Sequence, residues 1–143
     1  MEINTDNLRG EDVVKFEELV GKTLIKVESV EDDEIIFITE DEIKYRMVHK
    51  SECCETVWID DICGNLNDLV GSPILKASED TNKDKHPKGI EAPRNIPIGE
   101  NSEYTGFTWT FYNIATSKGH VTIRWYGTSN GCYSERAELY KIK

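Results

Sequence analysis

No apolar run in this chain approaches the length of a membrane span, and the first residues, MEINTDNLRGEDVV, carry neither a basic region nor an apolar stretch. The expectation is a cytoplasmic protein without a signal peptide. There is no glycine-rich phosphate loop, no paired zinc knuckle and no nucleophile elbow, so the enzyme classes recognised by those motifs are not indicated. Internal repeats, coiled-coil heptads and low-complexity tracts are also missing. Proline is scarce, and three of the four prolines (Pro87, Pro93, Pro97) fall between Glu79 and Tyr104. Basic charge is scarce too. Residues 1–71 carry 19 of the 27 Asp and Glu but only 7 of the 17 Lys and Arg, and the formal net charge of the chain is −10. Such a surface disfavours direct nucleic-acid binding, because a phosphate backbone needs Lys and Arg to displace its counterions. It leaves two readings of the acidity: plain solubility, or a phosphate-like surface offered to a basic protein.

What the chain does have is β-branched and aromatic sequence, concentrated in FTWTFYNIATSKGHVTIRWYGTSNGCYSE, residues 107–135. Thr108 to Thr116 and Val121 to Tyr126 read as paired strands. Ser117, Lys118 and Gly119 suit a three-residue loop with Gly119 left-handed. That register sets Trp109, Phe111, Val121, Ile123 and Trp125 on one apolar face, and Tyr112, Arg124 and Tyr126 on the other. A two-residue loop mixes the sets and buries Arg124 beside Trp109 and Phe111, since a one-residue slip flips every side chain.

At 143 residues the chain is long enough for one domain with its own core. Gly10 to Gly21 predicts a short amphipathic helix with Val13, Phe16, Leu19 and Val20 on one stripe. Three strands follow as a meander, Thr23–Val30, Glu34–Thr39 and Ile43–His49, joined by acidic turns at Asp32-Asp33 and Asp41-Glu42. Glu34–Thr39 is apolar almost throughout. Thr56 to Ile59 reads as a strand ended by Asp60-Asp61 or Cys63-Gly64. Asn65 or Asn67 caps a short central helix through Leu66, Leu69 and Val70, closed by Gly71. Pro73 to Ala77 reads as an edge strand. Residues 79–104 read as one long mobile loop within the domain, carrying Lys83, Lys85, Lys88 and Arg94. Cys132 to Ile142 reads as a last strand. The predicted fold class is α+β, mainly β: an antiparallel sheet or meander with one N-terminal helix and a short central helix.

Three groups of residues invite chemistry. Arg124 with Tyr112 and Tyr126 offers a guanidinium among rings, a combination that stacks and forks onto anions. The Ser129-Asn130-Gly131 turn adds Asn130, Tyr133, Ser134 and Glu135, whose hydroxyls and nearby backbone amides can hold an anion. The plain alternative is an exposed sheet face with a decorated hairpin tip. His49, Cys53, Cys54 and Cys63 are zinc-ligand types, but Cys53 and Cys54 are adjacent and point oppositely on a strand. Reduced cysteines in a cytosolic protein more often behave as small buried hydrophobes. A thiol nucleophile with His49 as base, and a cation held by Glu55, Asp60 and Asp61, are further alternatives.

Three blocks, LVGKTLIKVES, HKSECCETVWIDDICGNLNDLVGSPI and TWTFYNIATSKGHVTIRWYGTSNGCYSE, resemble an uncharacterised domain-of-unknown-function family of bacteriophages and prophages. Cys132 stands where that family leads one to expect tyrosine, which speaks against a catalytic role for it. The resemblance implies a mobile-element protein in a bacterial cytoplasm and transfers no activity. The expectation is a phage or prophage accessory protein without a cofactor, acting by binding. It would engage a host protein or sequester a small anionic ligand, with no direct nucleic-acid or membrane contact, and homo-oligomers are possible. The alternative is a zinc-binding or cysteine-dependent enzyme built on His49, Cys53 and Cys54.

Overall fold

The computed structural model describes residues 11–50, 56–83, 106–129 and 137–142. They form nine strands in two antiparallel sheets, interrupted by two single 3-10 turns. The strands are β1 (Glu11–Val14), β2 (Leu24–Val30), β3 (Glu34–Thr39), β4 (Lys44–Val48), β5 (Thr56–Cys63), β6 (Lys76–Lys83), β7 (Gly106–Thr116), β8 (Gly119–Ser129) and β9 (Glu138–Ile142). The five-stranded sheet runs β1-β9-β4-β3-β2 and the four-stranded sheet runs β5-β8-β7-β6. The expected meander is there as β2-β3-β4, and the expected edge strand as β6, three residues later than Pro73 leads one to place it. β6 takes residues 76–83 into the sheet. The remainder of the expected 79–104 loop lies outside the described residues.

Period-two burial explains how the layers meet. In β3 the buried residues are Ile35, Phe37 and Thr39, and in β4 they are Tyr45 and Met47. These face Ile59, Ala77, Tyr112, Ile114, Val121, Ile123 and Trp125 of the other sheet in one continuous core. Two polar groups of that core find partners within it, while Thr110 Oγ1, opposite Trp125, has none. The Trp125 indole Nε1 donates to Met47 Sδ at 3.1 Å, and the Tyr112 hydroxyl donates to the Ala137 carbonyl at 2.6 Å. The β2–β3 turn stitches the layers together, because the Ile59 amide donates to the Asp32 carbonyl at 2.6 Å.

The expectation of an N-terminal helix is wrong, and so is that of a central helix. Residues 11–14 pair with β9 instead, Val13 opposite Tyr140 and Val14 opposite Leu139. The supposed stripe is split: Phe16 and Leu19 are buried by a four-residue 3-10 turn, while Val13 and Val20 are 58% and 47% exposed. An isolated helix of this length is marginal in water, and the open edge of β9 offers β-branched Val13 and Val14 a full ladder. In the central segment the cap is real, with Asn65 Oδ1 accepting from the Asn67 amide at 2.9 Å. Propagation stops after Leu66–Leu69, because Val70 forms a parallel bridge with Leu24 and the Gly71 amide donates to the Leu24 carbonyl.

The central hairpin also differs from expectation. Thr116 pairs with Gly119, Ile114 with Val121, Tyr112 with Ile123 and Trp109 with Tyr126, so the loop is the two residues Ser117-Lys118. Gly119 is therefore a strand residue and does not have a positive φ. Its lack of a side chain serves a close approach, since a Cβ there would stand 2.7 Å from Asp68 Oδ2. The faces are regrouped accordingly. Tyr112, Ile114, Val121, Ile123 and Trp125 point into the sandwich, and Trp109, Phe111, Arg124 and Tyr126 point away from it.

Candidate functional site

The outward face of the four-stranded sheet holds a second, smaller apolar cluster of Trp58, Phe107, Trp109 and Tyr126, with Phe111 packed against it. Register places these side chains together. Trp58 of β5 is opposite Tyr126 of β8, which is opposite Trp109 of β7. The Trp109 and Tyr126 rings meet edge to face at 4.6 Å, and Trp109 stacks with Phe111 at 6.5 Å. Such contacts add to the burial of aromatic surface.

Arg124 lies at the border of this cluster. Its guanidinium carbon sits 5.4 Å from the centre of the Trp109 ring, a cation–π distance. Asp60 takes its donors: Nε donates to Oδ2 at 2.8 Å and Nη2 stands 2.6 Å from the same oxygen, with Asp61 Oδ2 at 3.8 Å. A break in register between Ile59 and Asp61 puts Asp60 there. The extra residue lets Ile59 and Ile62 both face the core while Asp60 turns outward, as a β-bulge does. Beyond Arg124 the face becomes polar. Thr122 Oγ1 donates to Asn113 Oδ1 at 2.8 Å, Asn113 Nδ2 reaches Asp80 Oδ2 at 3.5 Å, and Asp61 and Asp80 are exposed. One neutralised arginine, a half-buried phenylalanine and a border of carboxylates make up the accessible part.

Of the residues expected at the site, Arg124 and Tyr126 are together here, though Tyr126 is fully buried and supports the face from beneath. Tyr112 is on the opposite side of the sheet. Burial, and then the charge of Glu138, holds its phenol well above the ordinary tyrosine value. There it lines a cleft of about 190 Å³ with Lys15, Phe16, Glu17, Glu79 and Glu138, a setting whose three carboxylates repel an anion. Asn130, Tyr133, Ser134 and Glu135 lie outside the described residues. Trp58 and Trp109 are not among the expected site residues, and Asp60 is expected only as a cation ligand with Glu55 and Asp61, not as the partner of Arg124. The signal for Asp60 is the acidic doublet inside TVWIDDIC, which reads as a strand end but marks a bulge.

The zinc or thiol alternative is only partly within view, since Cys53, Cys54 and Glu55 lie outside the described residues. Cys63 is exposed at the end of β5, its Sγ 3.4 Å from Asp61 Oδ2. Burial and that carboxylate push the thiol up, the direction opposite to an activated thiolate. His49 is half-buried at the end of β4. Among the described residues no group of three or more His, Cys, Asp or Glu side chains is placed to hold a metal ion, and no described helix is long and apolar enough to cross a membrane.

Fold and face together define a two-sheet antiparallel β protein with an aromatic, arginine-bearing outer face. Residues 17–139 match the model of the family described as Domain of unknown function (DUF7448), and the chain belongs to that family. Comparison with the curated proteins and with the solved structures gives no match.

Proposed function

We propose that this is a phage or prophage accessory protein that acts in the bacterial cytoplasm by binding a host protein, and not by catalysis. The contact surface is the outward face of the four-stranded sheet. The observation that carries this reading is the state of Arg124. Its guanidinium is already neutralised by Asp60 and laid over Trp109, so the face offers a small anion little uncompensated positive charge. It offers instead the half-buried Phe111 ring bordered by Asp60, Asp61 and Asp80. A rigid aromatic with a rim of one charge sign suits a partner that brings an apolar anchor and Lys or Arg side chains. The acidic first half of the chain reinforces the same preference by long-range attraction.

The test is affinity capture from the host lysate at low and high salt, beside a titration of Arg124 Nε by inorganic phosphate followed by NMR. A defined partner should be retained by the native protein, released by salt, and lost from an Asp61→Lys/Asp80→Lys variant that remains folded. Saturable phosphate binding at Arg124 would replace this reading by anion sequestration. Equal capture by the native protein and the variant would remove the face from consideration.

A further inference from the structure

The two sheets leave a gap at the margin where β1 and β9 lie over β6 and β7. The cleft there measures about 190 Å³ and opens on the side of the four-stranded sheet opposite Arg124. Register explains what lines it. Tyr112 points into the sandwich and is opposed to Glu79 of the edge strand. Residues directly opposed across antiparallel strands share a face, so this inward row ends in a half-buried carboxylate. The first 3-10 turn brings Phe16 against Tyr112, with ring centres 4.7 Å apart and planes tilted by 56°. Val14 and Leu139, opposed in the other sheet, supply the facing aliphatic wall.

The polar groups of this cleft are mostly acceptors. Glu17 and Glu138 are exposed and join Glu79 around it, and Lys15 offsets one of the three charges. The Tyr112 hydroxyl has its proton committed to the Ala137 carbonyl at 2.6 Å. Burial and then the charge of Glu138 keep that phenol protonated, so the floor stays neutral and aromatic. Among the described residues no three of these side chains are placed to hold a metal ion together. The negative charge is therefore spread around an apolar floor, which suits an extended organic cation better than a bare one. An alkylammonium meets each demand. Its three N–H donors reach carboxylates, its stem covers apolar wall, and its charge is attracted by ring faces. Since a cavity of about 150 Å³ takes a benzene ring, this one admits roughly six to eight non-hydrogen atoms.

We propose that this cleft is a second binding site and that it takes a primary alkylammonium of about four to six carbons, free or at the end of a lysine side chain. It is separate from the outward aromatic face and does not depend on the partner of that face.

The test is an amide NMR titration of the full chain with n-butylammonium, beside butyrate as a probe of the same size and opposite charge. Butylammonium should shift the amides of Val14, Phe16, Glu79, Tyr112 and Leu139 saturably, and butyrate should not. Glu17→Gln/Glu138→Gln changes two exposed positions, and thermal unfolding confirms that the variant folds. It should weaken the binding by roughly tenfold. Two further probes separate the sources of the amine. N-acetyl-lysine amide binding as tightly as butylammonium would identify a partner's lysine, and 1,4-diaminobutane binding about tenfold tighter than either would identify a free polyamine. Butylammonium that acts no differently from butyrate, or that binds the variant as tightly as the native protein, would overturn the proposal. Glu79 would then be a charge that guards the β6 edge.

Discussion

Arg124 shows how one side chain can reverse an argument about register. A guanidinium beside Trp109 and Phe111 is a reason to reject the two-residue loop only while its partner is unknown. The partner is Asp60, supplied from 64 residues away in sequence, and with it the burial costs little. Breaking such a pair is a different matter, because Asp60 is only 15% exposed and would be left facing an aromatic wall. Arg124→Ala should destabilise the protein by about 1–3 kcal/mol. Asp60→Ala/Arg124→Ala together should cost less than the two single changes added. Urea unfolding of the four proteins checks this; strict additivity would mean the pair contributes nothing. None of this was legible in the sequence, since an ion pair between distant strands depends on register and on a bulge.

At the scale of elements, strands were legible and helices were not. β2, β3 and β4 lie within one residue of their expected bounds, and β4 buries Tyr45 and Met47 as its alternation predicts, because a half-buried strand writes its burial into every second position. Segments 10–20 and 65–70 carry helix caps and stripes, yet each stops at a single turn because backbone hydrogen bonds to a neighbouring strand compete and win. Turns with demanding geometry hold these elements in place. Gly64 has φ +114°, and a Cβ there would lie 2.6 Å from the His120 carbonyl oxygen and 3.2 Å from Val121 Cα. Both obstacles are backbone and cannot move aside cheaply. Gly64→Ala should therefore cost about 2–4 kcal/mol, from strain and overpacking together. A thermal midpoint equal to that of the native protein would contradict the turn geometry.

At the scale of the molecule, the two sheets share one core, and its tyrosines tie stability to alkaline pH. Tyr45 in the five-stranded sheet is held above its ordinary value by burial and then by Glu18, whose carboxylate accepts from the phenol at 2.9 Å. Tyr112 in the four-stranded sheet is raised by burial and then by Glu138. In the unfolded chain both ionise near 10. Above that pH the unfolded state has lost protons that the folded state keeps, so the unfolded state is favoured. The stability involved is complete below about 10 and falls as pH rises further, by about 1.4 kcal/mol per pH unit for each phenol. Tyrosinate absorbance from these two residues should appear together with the loss of the far-ultraviolet sheet signal. Ionisation of all six tyrosines while the sheet signal persists would refute the shared core.

Composition and alternation were enough to determine an acidic, mainly β protein and the places of most of its strands, because β-branched periodicity and charge are properties each residue carries alone. The tertiary structure decided which face each hairpin residue takes, which carboxylate meets Arg124, and that Tyr112 belongs to the core. It also decided that Ile36 and Ile38 stand among charged side chains on the outward surface of the five-stranded sheet. Each of these is a relation between strands far apart in sequence. A shift of one residue in pairing inverts it while leaving the local pattern of every strand unchanged.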